Sequence, residues 1–390
     1  MNNKSDTRCI AHYDLDSFFI SVERLKNSTL IGKPVIVGGT SGRGVVSSCS
    51  YETRVFGVQS AMPMARAIKL CPEAIVVKGS YDSYSYYSRL VTEIIRQEVP
   101  VLEKASIDEF YIDLTGMDKF FNCTKIVKDL KTKILKETGL PVSYALASNK
   151  LISKIATNEV KPDGQIEVPA GTEKQYLAPL KIERMPGIGD KTAKQLLSIG
   201  IFTIKMLSEI PLEQLESKFG KWGRELWRKA NGIDNSPVVP FHEQKSIGSE
   251  ETFFTDTADS TFLKSELVRL TEKIAFQLRR QKKVCGCVAI KFRYGDFTTF
   301  TRQASIPYTA SDKAILKIAN QLFAEFYNAR RPLRLIGLRL TDLVSGQHQI
   351  NLFSETEENI KLYQALDTIR NKFGEDAVVR AMGKRHVKLR

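Results

Sequence analysis

The sequence predicts a multidomain α/β protein, and three observations carry that prediction. Strand-like apolar runs alternate with helical repeats from the N-terminus to about residue 166. Short helical stretches punctuated by glycine fill about 170–235. Strands and helices mix again over 245–345, which predicts a small α+β domain. At 390 residues and 42% hydrophobic composition the chain is long enough for two to four cores.

The elements follow in order. RCIAHYD reads as a strand, and SFFISVERLK as a helix whose start is marked by Ser17. KPVIVGG is a second strand, and GRGVVSSCSYETRVFGV is a strand running into polar residues. Helical stretches are expected at about 61–70 and 83–98. VLEKASIDEFYIDL reads as two tightly joined strands with acids at the join. TKIVKDLKTKILKETG has helical spacing at Ile126, Leu130, Ile134 and Leu135, with Gly139 placed to end it. PVSYALAS is a strand, followed by a basic helix from Lys150. NGIDNSPVVPF, with Pro237 and Pro240, reads as a linker. Beyond it CGCVAIKFRY and LRLIGLRLTDL are strands, and 264–280 and 311–328 helices. After 346 one amphipathic helix is expected, with Leu362, Leu366, Ile369 and Phe373 on one face, before the basic ending GKRHVKLR.

A formal net charge of +14 points to a polyanionic partner, nucleic acid before an anionic membrane surface. Six scattered cysteines and four scattered histidines lack zinc-site spacing and suit a reducing compartment. The first residues lack the apolar core of a signal peptide, and no apolar run is long enough to span a bilayer. A cytoplasmic protein without membrane attachment is expected.

Chemistry concentrates in acids and cations. Asp14 and Asp16 flank one leucine in HYDLDSFFISVE, and SIDEFYID places Asp108 and Glu109 at a strand join. Asp14 alone reads as a turn or cap residue; the second acidic site makes oxygen ligation of hard divalent cations the sharper reading. Ser48, Tyr51 and Arg54 in SSCSYETRVFG, with Lys150 and Lys154 four apart on one helical face, offer donors for a triphosphate.

DLDSFFISVE, SYETRVFGV, SIDEFYIDL, SNKLISKIAT…KPDG, MPGIGDKTAKQL, KSIGSEETF and QINLF stand in this order along nearly the whole chain. The ordered set resembles the Y-family DNA polymerases of the DinB or DNA polymerase IV type. The resemblance implies a right-hand architecture. It places a palm in 1–22 and 81–166, fingers in 23–80, and a helical thumb with a helix–hairpin–helix in 167–235. It also places a linker in 236–244, a DNA-binding little finger in 245–345, and a clamp-binding peptide with a helical basic tail in 346–390. It further implies a monomer that performs low-fidelity, template-directed translesion synthesis without proofreading, on primer-template DNA and dNTPs.

Site roles follow from the same resemblance. Asp14, Asp108 and Glu109 would hold two Mg2+ ions, with the backbone carbonyl of Leu15, while Asp16 takes no direct part. Ser48, Tyr51, Arg54 and Lys154 would contact the triphosphate. Phe19 matches the steric gate that excludes a ribose 2′-hydroxyl, and Phe18 the core or the floor of the nucleotide site. Gly187, Gly189, Lys191 and Lys194 would hold DNA phosphates at the hairpin. Lys and Arg outnumber acids over 245–345, where Arg293, Arg302 and Arg339 are candidate DNA contacts. Gln349, Leu352 and Phe353 would dock on a sliding clamp, although here the peptide is not the last segment of the sequence. Two rival readings are a non-catalytic DNA-binding adaptor and another nucleotidyl-transfer enzyme on a similar palm.

Overall fold

The computed structural model describes residues 8–39, 42–117, 120–345 and 357–383. They divide into two compact units, Met1–His242 and Glu243–Arg390.

The first unit is built on a five-stranded sheet. Its strands are β1 (Ile10–Leu15), β5 (Val101–Lys104), β6 (Glu109–Asp113), β7 (Val142–Ala147) and β8 (Gln165–Glu167), in the order β5-β6-β1-β7-β8. A separate three-stranded sheet holds β2 (Val35–Gly38), β3 (Val46–Cys49) and β4 (Ile75–Val77), ordered β3-β2-β4. Its helices before β7 are α1 (Phe18–Lys26), α2 (Tyr51–Arg54), α3 (Met64–Leu70), α4 (Tyr81–Glu98) and α5 (Cys123–Thr138). Six more follow: α6 (Lys150–Glu159), α7 (Glu173–Leu177), α8 (Asp190–Ser198), α9 (Ile204–Ser208), α10 (Leu212–Phe219) and α11 (Lys221–Ala230).

β1 is buried along its whole length because both faces of the sheet are covered. Ala11, Tyr13 and Leu15 enter a core with Phe110, Ile112, and Val127, Leu130 and Ile134 of α5. On the opposite face His12 meets α6, where its Nδ1 lies 3.0 Å from the Thr157 hydroxyl. Strand alternation puts Asp14 on that same face. The Asn149 side chain accepts from the Ile152 amide and fixes the start of α6. Gly139 ends α5 at φ 71°, in the left-handed region that glycine adopts most readily.

Several expectations shift. Val127, not Leu135, completes the buried stripe of α5, and Leu135 is exposed. Ser17 precedes α1 but accepts no capping bond; it sits at φ 43°. The proline-bearing stretch is anchored on the sheet. Val238 packs against Ile10 and Tyr111. The Val239 amide donates to Glu103 at 2.7 Å, and Asp234 accepts from the Leu151 amide at the start of α6.

The second unit is a four-stranded antiparallel sheet in the order β11-β10-β12-β9. Its strands are β9 (Ser246–Thr257), β10 (Lys283–Tyr294), β11 (Thr299–Thr309) and β12 (Leu333–Ser345). Helices α12 (Ser260–Arg280) and α13 (Asp312–Phe326) share its apolar core with Val288, Ile290 and Phe292. The tail helix α14 (Glu357–Phe373) buries Tyr363 and Arg370 rather than the expected apolar row; Leu362, Ile369 and Phe373 are exposed. Ion pairs set that orientation. Arg279 of α12 reaches Asp367 at 2.7 Å and Asp312, and Arg370 reaches Glu272 at 3.3 Å.

Candidate active site

The acids meet where β1 and β6 pair. Antiparallel register sets Asp14 directly opposite Glu109, and the Leu15 amide donates to the Asp108 carbonyl at 3.0 Å. Opposed residues of an antiparallel pair project to the same face, so both carboxylates point toward α6. Asp108 closes the short turn between β5 and β6. The Ser106 hydroxyl accepts from the amides of Asp108 and Glu109 and donates to the Asp108 carboxylate at 2.6 Å.

Lysines already neutralise two of the three acids. Lys161 Nζ lies 2.5 Å from Asp14, and Lys154 Nζ of α6 lies 2.5 Å from Glu109. Burial raises the Asp14 carboxyl to about 6; Lys161 opposes the rise, and Glu109 and Asp108 add to it. Among the described residues no three His, Cys, Asp or Glu side chains form a ready-made metal cluster. The residues nonetheless fit hard divalent cations. Their donors are carboxylate oxygens, the hard ligands such cations take, and Glu109 and Asp108 each disfavour the charged form of Asp14, as like charges sharing one site do. Cationic ammonium groups stand beside two of them.

Asp16 has a separate task. It is buried, and its carboxylate accepts from the Ser143 hydroxyl, the Asp163 amide and the Tyr51 hydroxyl at 2.8–3.2 Å. These bonds tie β1, β7, the segment after α6, and α2 to one point. Arg54 of α2 donates to Ser17 at 3.1 Å and stands 4.4 Å over the Tyr51 ring. Ser48 lies nearly buried at the end of β3. The structure therefore brings Tyr51 and Arg54 to the first turn of α1, next to the acids, while Lys154 faces Glu109.

Phe18 is 2% exposed and belongs to the core. Phe19 is half-buried, and its ring stacks on Tyr84 of α4 with centroids 4.1 Å apart. Sequence reasoning assigned no role to Tyr84 or Lys161. Lys161 lies within KPDG, but nothing in its spacing points to Asp14. Tyr84 is one of four tyrosines in a seven-residue stretch, YDSYSYY, and had no distinguishing signal.

In the hairpin before α8, Gly187 adopts φ 96°, and an added Cβ would lie 2.8 Å from Trp222. Gly189 is extended, with open space where a Cβ would stand. Lys191 and Lys194 are exposed on α8. In the second unit Ala289 of β10 pairs with Arg339, and Arg293 follows four residues along the same strand. Strand alternation puts Arg293 and Arg339 on the face away from the helices. Arg302 pairs with the core residue Ile290, so it projects to the helix-bearing face, 5.2 Å over the Phe326 ring. Gln349, Leu352 and Phe353 lie outside the described residues.

Comparison with known proteins gives a consistent picture. A family model described as the impB/mucB/samB family matches residues 13–158, and the model of that family's C-terminal domain matches 244–352. A model described as the DNA polymerase-iota thumb domain matches 183–234. A DNA polymerase IV from Dehalococcoides mccartyi (strain CBDB1) is 40% identical over 375 residues, covering 95% of this chain and 96% of the relative. A DNA polymerase IV from Halorhodospira halophila is 38% identical, covering 89% of this chain and 98% of the relative. Among solved structures, the Y-family DNA polymerase chimera Dbh-Dpo4(243-245)-Dbh superposes with a TM-score of 0.77 at 25% identity. The match covers 87% of this chain and all of the chimera.

Proposed function

Because this chain belongs to the Y-family DNA polymerases of the DNA polymerase IV type and is a DNA-directed DNA polymerase, we propose that it performs translesion synthesis by two-metal nucleotidyl transfer, without proofreading, in DNA damage tolerance and repair. The observation that carries the metal-dependent reading is the register that opposes Asp14 to Glu109, with Asp108 adjoining. Those three carboxylates and the Leu15 carbonyl would hold two Mg2+ ions, whose chemistry is to acidify the attacking hydroxyl and neutralise the departing phosphates.

The chain's own residues supply the rest. Tyr51, Arg54 and Ser48 bind the triphosphate, and Lys154 and Lys161 leave their carboxylates to take up phosphate charge. The primer 3′-oxygen bonds to the α-phosphorus as the bond to the bridging oxygen breaks; pyrophosphate leaves and the hydroxyl proton goes to solvent. Phe19 occupies the volume a 2′-hydroxyl would need and offers it no hydrogen bond. The α8 hairpin and the arginine-bearing face of the second unit hold the DNA backbone without reading sequence. The 349–353 peptide docks on a sliding clamp. We further propose domain limits as the resemblance places them, action as a monomer, and a cytoplasmic site of action.

Primer extension with a single dNTP tests this reading. The wild-type protein extends the primer in Mg2+, and Asp108→Ala loses extension by at least about 1000-fold, the scale expected for loss of transition-state charge stabilisation. Failure of the wild-type protein to extend across a range of divalent cations would favour the adaptor reading.

A further inference from the structure

Phe19 does not stand alone. Its ring lies nearly parallel to Tyr84, at an interplanar angle of 11°. Tyr84 is 3% exposed and comes from α4, more than sixty residues away in sequence. The Tyr84 hydroxyl donates to the Glu23 carboxylate at 2.8 Å. Glu23 is 5% exposed on α1, one turn beyond Phe19, and Lys26 donates to both its oxygens at 2.9 and 3.1 Å. Gly79 leaves this hydroxyl the room it occupies, since a Cβ there would lie 2.8 Å from it. A buried carboxylate on the same helix as Phe19 thus fixes the ring against which Phe19 rests.

We propose that Glu23 is a positioning residue for sugar discrimination, acting through Tyr84 to hold the Phe19 ring in place. The proposal rests on the reading of Phe19 as the gate. It follows from the mechanics of exclusion. A half-buried ring rejects a hydroxyl only if it cannot yield, because one that swings away by an ångström leaves room for it. Face-to-face contact with a ring that is itself hydrogen-bonded to a buried charge denies Phe19 that motion on the Tyr84 side. Glu23 touches no reacting atom in this account. Its effect appears in the ratio between two sugars and not in the chemical step.

The test compares kcat/KM for one dNTP and the matching rNTP in Phe19→Ala, Glu23→Ala, Glu23→Gln, Tyr84→Phe and the double variant Phe19→Ala/Glu23→Ala. Glu23→Ala and Tyr84→Phe each lower the dNTP-to-rNTP ratio by about tenfold, the scale of a hydrogen bond to a charged group. Glu23→Gln, which keeps an acceptor oxygen, stays within about threefold of wild type, the scale of a neutral hydrogen bond replacing a charged one. In the Phe19→Ala background Glu23→Ala changes the ratio no further, because the ring it positions is gone. A merely structural role for Glu23 would lower both incorporations together and leave the ratio fixed, which overturns the proposal. So does an equal loss of ratio in the double variant, since the effect would then bypass Phe19. Tyr84→Phe keeps the ring and separates the hydrogen bond from packing if Glu23→Ala fails to fold. If Phe19→Ala itself leaves the ratio at the wild-type value, the gate reading fails. If Phe19→Ala changes it and Tyr84→Phe does not, only the positioning role fails.

Discussion

At Asp14, stability and the proposed chemistry pull in opposite directions. Its carboxyl is pushed up from the ordinary 3.8 to about 6, chiefly by burial, although Lys161 is bonded to it. Between those two values the folded state keeps a proton that the unfolded state has released, so stability falls as pH rises through that window. Asp14→Asn removes the slope. In chelator, urea unfolding is expected to find the variant about 3 kcal/mol more stable than wild type at pH 7.5. The advantage should shrink toward zero as pH falls from about 6 to 4. A constant difference across pH would mean that Asp14 ionises as freely in the folded chain as in the unfolded one. The neighbouring Asp16, two residues away, instead accepts from three donors, the Ser143 and Tyr51 hydroxyls and the Asp163 amide. The sequence motif shows both acids alike, and only the partners brought from β7 and α2 separate them.

At the scale of elements, what the sequence made legible was local periodicity and turn chemistry. The β1, β6 and β7 strands, α5 with its glycine stop, and α6 with its basic residues follow from spacing alone. Three things did not. β9 and β11 are not expected as strands, because their exposed residues come from a sheet whose outer face carries polar side chains and gives little apolar signal, and β4 and β8, at three residues each, are too short to show a period. The tail helix buries a different face from the one its apolar spacing predicts, because that face is decided by Arg279 and Glu272, far away in the chain. The proline-bearing linker is pinned by Glu103 and α6, contacts that no local rule foresees. The two glycines of the hairpin make a sharp contrast. Gly187→Ala forces a side chain into φ 96° and against Trp222, and should destabilise the hairpin by about 2 kcal/mol or more. Gly189→Ala enters open space at an ordinary φ and should be tolerated. Hydrogen exchange over 186–198, with duplex DNA affinity as a second readout, is expected to show loss for the first variant alone. Equal behaviour of the two would contradict the geometric account of this turn.

At the scale of the whole molecule the net charge of +14 becomes a measurable property. DNA binding should weaken linearly with log salt, with a slope of about 0.9 per phosphate contact. Replacing the exposed Lys191 and Lys194 by alanine should lower the slope by about 2 if each meets a phosphate. An unchanged slope would remove the α8 face from the DNA interface. The proposed reaction would depend on the strand pairing that sets Asp14 opposite Glu109. The most direct test is single-nucleotide insertion, measured as kcat/KM, for Asp14→Asn, Glu109→Gln and the double variant. If the two carboxylates serve one shared cation site, each single change abolishes insertion by about 1000-fold or more, and the double variant is scarcely worse than either. Insertion by Glu109→Gln within about tenfold of wild type, or losses that multiply in the double variant, would show that these side chains do not act as one site.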